Sequence, residues 1–456
     1  MRNRISGLVA ALGAAACLAA PVAGQGSSVY VHSSCLSGRG QAGVAAPCDD
    51  GSAVYFNPAG IATMPGTIGL GVTGIWNTGT YTYDSTGVAV ERDPAMPLVP
   101  HAYATYRLGE KLGVGFGFFA PYGLGIEWPE TFEGRFISWK SALQGLYFQP
   151  TVGYEIAPGY AVGAGLDIVK GGIEINRHLD APIENSQLAL LGVPPGTDFA
   201  SALLEGSGWG FTFNVSVLAE VHERLTIGAR YMHSATIDLE GTADFEQLAT
   251  GRMIYGPFGP GGSLITVPLD SLVAPQFMPD SALSDQGATS QITLPPQAVV
   301  GILLRATDDL HLLFDYQWTG WTTFDKLAAV FEHGETLDLT LDYMDAHTFR
   351  IGGDYYLDDS FVVRGGWIYN TNATPDKTVT PILPEAERNY YTAGLGGWIT
   401  DRLRADVYYN YVLQAERRGR VRDQWTVTVT PDELNIGVYE NKAHVLGATL
   451  AYRIGG

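Results

Sequence analysis

The chain has 456 residues, with 57 Gly, 24 Tyr and 9 Trp, only 16% charged residues and a formal net charge of −20. That acidic balance excludes nucleic acid as a partner, which needs Lys and Arg to displace counterions. The 9 histidines show no metal-ligand spacing, so no metal and no cofactor is expected, and the length suits one large or two ordinary domains.

At the N-terminus, Arg2 and Arg4 precede an apolar run, Leu8 to Ala20, that is too short to span a bilayer. Val22-Ala23 then offers small residues before Gly24-Gln25, so residues 1–23 read as a secretory signal peptide cut after Ala23. Lipoprotein processing at Cys17 is the alternative, but no aliphatic residue stands three before it and the apolar run continues past it. Cys35 and Cys48 remain in the exported chain, and in an oxidising compartment two such cysteines are expected to pair. The other reading is two free buried thiols. No later segment is apolar for long enough to be a transmembrane helix.

Residues 24–66 form no clean helix or strand. The stretch CDDGSAVYFNPAGIATMPGT, from Cys48, reaches Asn57-Pro58 and then Ala59-Gly60. Proline removes a backbone donor and disfavours helix at the residue before it. The segment is too short for an independent domain. It is too apolar, through Val44, Val54, Tyr55, Phe56 and Ile61, for a disordered tail.

From Thr67 onward the dominant signal is alternation with period two, which marks strands with two different faces. Leu310, Leu312, Phe314, Tyr316 and Trp318 oppose His311, Asp315, Gln317 and Thr319. Phe349, Ile351, Tyr355 and Leu357 oppose Arg350 and Asp354, and Leu403 to Gln414 and the last strand, through Leu446, Leu450, Tyr452 and Ile454, repeat the pattern. Short turns fall near Gly109, Gly159, Glu223, Asp308, Asp358 and Asp401. Between them lie long polar or Pro/Gly-rich connections at 84–97, 123–135, 178–207, 243–290, 332–346, 371–388 and 415–442. The strict alternation of short and long gives about fourteen strands with all tight turns on one side, the layout of an antiparallel outer-membrane β-barrel. Closure satisfies every backbone group, as hydrocarbon requires. Trp318, Trp321, Trp367 and Trp398 then become candidates for interfacial girdles. A propeller would need blade repeats of about 40 residues, and a soluble sandwich would not explain the sided loops. Residues 67–456 are therefore the barrel, and 24–66 are expected to fold back and plug its lumen.

Several stretches resemble the outer-membrane long-chain fatty acid and hydrocarbon transporters of the FadL/TodX type. GRGQAGVAAPCDDGSAVYFNPAGIATMPGT is similar to that family's N-terminal hatch, with its Asn-Pro-Ala at Asn57, Pro58 and Ala59. APYGLGIEWPETFEGRF resembles the region of its third strand, and residues 208–241, 294–327 and 361–396 resemble later strands. The resemblance implies a 14-stranded barrel with a hatch, passive uptake of fatty acids or hydrocarbons, and a Gram-negative outer membrane as location. It also implies an inward kink at Pro121, Gly123 and Gly125 that opens the wall sideways, and a gate at Asn57, Pro58, Ala59 and Gly60. The Cys35–Cys48 pair is not a feature the resemblance supplies. The chain ends YRIGG rather than on an aromatic residue, leaving Tyr452 for recognition by the assembly machinery.

A lipid-like substrate needs an apolar pocket with one cation for a carboxylate. The candidates are Arg177, Lys326, Arg135 and Arg388. Arg177 shares parity with Ile173 and Ile175, so an apolar-outward strand would turn it out of the lumen unless the strand has ended. Two other readings stand beside transport: a structural or non-specific plugged barrel, and an outer-membrane lipase, for which Ser234 and His311 are the imaginable pair. The expected partners are hydrophobic small molecules, outer-membrane lipid and lipopolysaccharide, with the protein a monomer.

Overall fold

The computed structural model describes residues 28–94, 96–333, 336–422 and 434–454. The signal peptide over residues 1–23, its cut after Ala23, Cys17 and the first residues of the 24–66 segment lie outside the described residues. The alternation of the sequence becomes one closed antiparallel barrel of fourteen strands. These are β1 Thr67–Tyr83, β2 Leu98–Leu108, β3 Leu112–Glu127, β4 Lys140–Ala157, β5 Tyr160–Asp180 and β6 Asp198–His222. Four strands are interrupted: β7 is Leu225–Met232 and Ala235–Gln247, β8 Gln286–Leu294 and Gln297–Arg305, β9 Leu310–Thr319 and Lys326–Phe331, and β10 Thr336–Thr340 and Ala346–Tyr356. The ring ends with β11 Phe361–Asn370, β12 Arg388–Trp398, β13 Leu403–Gln414 and β14 Gly437–Arg453. β14 closes on β1 over its whole length, from Thr67 opposite Arg453 to Tyr83 opposite Gly437. Gly109 and Gly159, at φ 85° and 80°, take the left-handed backbone that the tight β2–β3 and β4–β5 turns require. Among the described residues no helix is long and apolar enough to cross a membrane; the strands cross it.

The wall has two zones. Near the tight turns, Val215 and Val217 of β6, Val300, Ile302 and Leu304 of β8, and Leu312 and Phe314 of β9 are exposed on the outer face. Asn214, Ser216, Gln297, Asp315 and Gln317 alternate with them and are buried inside. Toward the long loops the pattern inverts. Thr236, Asp238, Glu240 and Thr242 of β7 and Thr289 and Gln291 of β8 face outward, while Ile237, Leu239, Ile292 and Leu294 are buried inside. The inversion begins at two matched breaks, His233-Ser234 in β7 and Pro295-Pro296 in β8. They lie opposite each other, so the register is kept: Gln297 pairs with Met232 below and Leu294 with Ala235 above. Paired prolines donate nothing to the ladder, which is why the strand can break there. A wall in hydrocarbon must be apolar outside, and one in water must be polar outside.

This inversion corrects three expectations. β3, β5, β6 and β7 run further than expected, so the connections shrink to 128–139, 181–197 and 248–285. Arg177 lies within β5, and Ile173 and Ile175 on its side of the strand line the interior, not the lipid face. Trp321 is 1% exposed and lines an internal cavity, so it is not an interfacial girdle residue.

The N-terminal segment is bonded to inward-facing groups around most of the ring. It carries two short helices, α1 Ser34–Gly38 and α2 Ala53–Phe56, and a 3-10 turn, Pro58–Ala62. On one side, Arg39 forms an ion pair with Asp354 of β10. Asp354 pairs in turn with Arg364 at 3.1 Å, and Arg364 with Asp406 at 2.8 Å. The Gly43 and Val44 amides donate to Asp315 at 2.8 and 3.0 Å. On the other side, the Ala59 amide donates to Ser216 Oγ at 2.9 Å, and Gln149 Nε2 to the Val54 carbonyl at 2.6 Å. The glycine richness has a cause here. A Cβ on Gly163 would stand 2.3 Å from Ala59 N, one on Gly228 2.1 Å from Val44 O, and one on Gly352 2.0 Å from Arg39 O. The segment packs backbone to backbone against the wall where the wall has no side chains.

Candidate functional site

A cavity with an empty volume of about 660 Å³ lies within the barrel, with Val29 and Val31 of the N-terminal segment in its lining. Ile75, Ile126, Val412 and Val445 supply further apolar surface. Its polar lining includes Asn77, Arg92, Arg388, Gln414 and Asn441, with the exposed Lys442 at its margin. Arg92 and Arg388 are 8% and 7% exposed. Arg92 Nη2 donates to Asn77 Oδ1 at 2.5 Å, and Arg388 Nε to Gln414 Oε1 at 2.8 Å. No ion pair among the described residues includes either guanidinium. Burial, and then the charge of Arg388, push the Arg92 guanidinium down to about 10, which leaves it charged at neutral pH. The Arg388 charge acts on Glu385, a buried carboxyl in the β11–β12 connection. Burial raises its pKa, while the Arg388 charge and the Thr374 and Ala373 amides, which donate to it at 3.0 and 2.8 Å, pull the other way.

The wall beside this cavity is incompletely paired. β3 pairs with β2 only from Leu112 to Phe118, yet it continues to Glu127 on β4. Its register on β4 shifts between Phe119 and Tyr122, across Ala120-Pro121. Proline's missing donor and the bulge turn the Pro121 carbonyl to an amide of the N-terminal segment: Val29 N donates to it at 2.9 Å, and Ser28 bridges Tyr122. Beyond this, Asp93 N reaches the Glu127 carbonyl at 3.0 Å. Gly123 and Gly125 continue the strand opposite Gln144 and Ala142.

Of the four cations singled out from the sequence, the structure brings only Arg388 to the cavity. Arg177 Nη2 donates to Glu184 at 3.1 Å. Arg135 makes a two-pronged contact with Asp198, at 2.9 and 3.0 Å. Lys326 stands on the outer face, 2.9 Å from Asp338, with both side chains about half exposed. Asn57 is buried; its Nδ2 donates to the carbonyls of Val44 at 2.6 Å and Val217 at 3.0 Å, and its Oδ1 accepts from Ala59 N at 3.1 Å. It therefore ties both halves of the segment to β6. Pro58 begins the 3-10 turn and Gly60 lies within it. Cys35 and Cys48 are joined in a disulfide with Cα atoms 6.4 Å apart. Ser234 and His311 are not brought together: Ser234 sits at the mid-wall break of β7, His311 near the tight-turn end of β9, with β8 between.

Two arginines escaped the reading of the sequence. Arg92 lies in the β1–β2 connection, where no periodicity assigns a side. Arg230 was legible, since Thr226, Gly228 and Arg230 alternate with Leu225, Ile227 and Tyr231. It is buried, donates to the Tyr55 carbonyl at 2.9 Å and to Gln297 at 2.7 Å, and lies 4.3 Å over the Tyr55 ring.

A family model described as "Outer membrane protein transport protein (OMPP1/FadL/TodX)" matches residues 15–454. The long-chain fatty acid transport protein of Escherichia coli O6:H1 is 24% identical over 391 residues, covering 82% of this chain and 84% of the relative. A 47 kDa outer membrane protein of Pasteurella multocida is 26% identical over 364 residues, covering 78% and 80%. A Pseudomonas aeruginosa FadL homologue superposes with a TM-score of 0.79 at 18% identity, over 94% of this chain and all of that one. The Pseudomonas putida toluene transporter TodX does so with a TM-score of 0.69 at 15% identity, over 94% of this chain. At those identities the structures speak for the fold.

Proposed function

Because this chain belongs to the OMPP1/FadL/TodX family of outer membrane transport proteins, and so works in the outer membrane, we propose that it takes up hydrophobic compounds passively, with a long-chain acid as the best-fitting ligand. The observation that carries this reading is the arginine-lined cavity. Two buried guanidiniums without an ion-pair partner among the described residues face an otherwise largely apolar space. A buried charge is costly unless paired, and a carboxylate with an apolar body meets both demands. Arg388, with Arg92, holds the head. The N-terminal segment is the hatch. Asn57, Pro58, Ala59 and Gly60 fix its inner turn, and residues 28–29 cover the unpaired edge of β3. Release of that short contact opens a sideways path beside Pro121, Gly123 and Gly125 into the bilayer, so that the tail never crosses water. The names of the relatives, a fatty acid transporter and a toluene transporter, support the ligand class without choosing within it.

The test is uptake of labelled oleate and labelled toluene into liposomes holding the purified protein. Arg388→Gln with Arg92→Gln is expected to lower oleate uptake about tenfold, as befits loss of hydrogen bonds to a charged group, and to leave toluene uptake unchanged. Wild-type uptake of both at the level of empty liposomes would leave a static plugged barrel instead.

A further inference from the structure

Two more cavities lie outward of the arginine-lined one. The second, with an empty volume of about 490 Å³, is lined by Leu124, Leu143, Trp321, Phe324 and Leu341 among others. The third, about 460 Å³, is lined by Leu204, Leu239, Ala288, Ala329 and Leu337 among others. The three are in series. Leu383 lines the first and the second. Ile173, Ile175, Leu327 and Leu339 line the second and the third. The polarity of the series is one-sided. Both arginines stand at the inner end, and the second cavity has no charged lining. In the third, the one charged lining residue among those described is Glu205.

We propose that the second and third cavities seat the tail of the ligand whose head lies at Arg92 and Arg388, so that the water-facing zone of the wall acts as a chain-length gauge. This rests on the reading of the arginine-lined cavity given above. The ligand class follows from the polarity: a single-tailed amphiphile with one anionic end. A small aromatic hydrocarbon would leave the guanidiniums unpaired. A two-headed chain would bury a charge among leucines, which costs more than the chain gains. The inverted zone is thereby explained twice over, since its polar outer face suits water and its apolar inner face suits an alkyl chain. Ile173, Ile175, Leu327 and Leu339 form the gate between the second and third cavities. Chains too short to pass them gain nothing from the third.

The experiment is equilibrium binding of octanoic, dodecanoic and hexadecanoic acids to the full, detergent-solubilised protein. Ala329→Phe fills the third cavity from β9, and Ala288→Leu fills it from β8 should the first variant fold poorly. Gln291→Phe, on the outer face of the same strand and outside the cavity lining, is the control. Octanoic acid is expected to bind all forms equally. Hexadecanoic acid is expected to bind the two filled variants more weakly, by about fourfold for each methylene denied a buried place. Equal weakening of all three acids, or of none, overturns the gauge and leaves the head site standing. Failure of wild-type protein to bind any acid overturns the head site, and the gauge with it.

Discussion

The two halves of β8 share a strand, a register and a neighbour on each side, yet they obey opposite rules. Below Pro295-Pro296 the outward residues are Val300, Ile302 and Leu304; above it they are Thr289 and Gln291, and Ile292 and Leu294 turn inward. Period two fixes which residues share a face. It does not fix which face is the greasy one, because that depends on the medium outside. In the lower half the medium is hydrocarbon and the interior holds a polar, glycine-walled dock for the N-terminal segment. In the upper half the medium is water and the interior is free to be apolar. The breaks in β7 and β8 stand where the two meet.

The largest expected effect tests this comparison directly. Ile302→Arg places a cation on the lipid face and is expected to cost about 2–4 kcal/mol if the site lies near the midplane. Gln291→Arg, on the same strand, is expected to change stability by no more than about 0.5 kcal/mol. Reversible urea unfolding from lipid vesicles reads both. Similar costs at both positions would mean that the wall has a single outer medium, and the inverted zone would need another cause.

The same comparison explains what could be read from the sequence. Fourteen strands, six tight turns and the start of β1 at Thr67 followed from alternation and from the sidedness of the connections, which the chain states locally. The ends of β3, β5, β6 and β7 did not, because apolar residues there face inward and the outward ones look like loop. The orientation of Arg177 was misjudged for that reason: Ile173 and Ile175 were assumed to face lipid. Trp321 was taken for a girdle residue because it follows a strand end, although it is enclosed with Tyr343 and Phe324, at ring distances of 5.9 and 6.1 Å. Of the proposed head site, Arg388 was one of the four cations singled out for a carboxylate, with nothing in the sequence to prefer it to the other three. Arg92 carried no signal, since a lone arginine in a connection is most often solvated. Only the fold brings it to Arg388.

A smaller effect is expected where the hatch meets the lower wall. Gly163→Val would push a side chain into Ala59 and Pro58, at a cost of about 1–3 kcal/mol to the docked state. Gly365 is the counterpart: a Cβ there would meet nothing nearer than Thr392 O at 3.9 Å, so Gly365→Ala is expected to be neutral for docking. Ion conductance of single barrels in a planar bilayer separates the two. Gly163→Val should raise the open fraction while the barrel still resists heat and detergent. An unchanged open fraction would mean that the hatch does not depend on these backbone contacts.

The smallest effect is one of pH, and its sign follows from burial. His32 lies within the N-terminal segment, the proposed hatch, at 1% exposure, its ring 4.7 Å from Tyr55. Burial first, and then the neighbouring His101 and Arg230, lower its pKa from 6.5 to about 3. The docked hatch therefore holds it neutral, whereas a released hatch takes up a proton below 6.5. Docking free energy from this group is fully present above that value and drains away as pH falls toward 3, by up to about tenfold in the docked-to-released ratio per pH unit. Asp50, also buried in the hatch, acts in the opposite direction: burial raises its carboxyl pKa, against the hydrogen bonds of Ser33 and Ser52, so its share of docking is lost as pH rises. The two are separated by substitution. His32→Gln removes one proton from the balance and leaves Asp50 in place, so the variant's open fraction should climb less steeply than the wild type's as conductance is followed from pH 6.5 downward. Parallel curves would show that His32 remains enclosed when the hatch moves. The moving part would then be confined to residues that precede it, those that cover the β3 edge at Pro121.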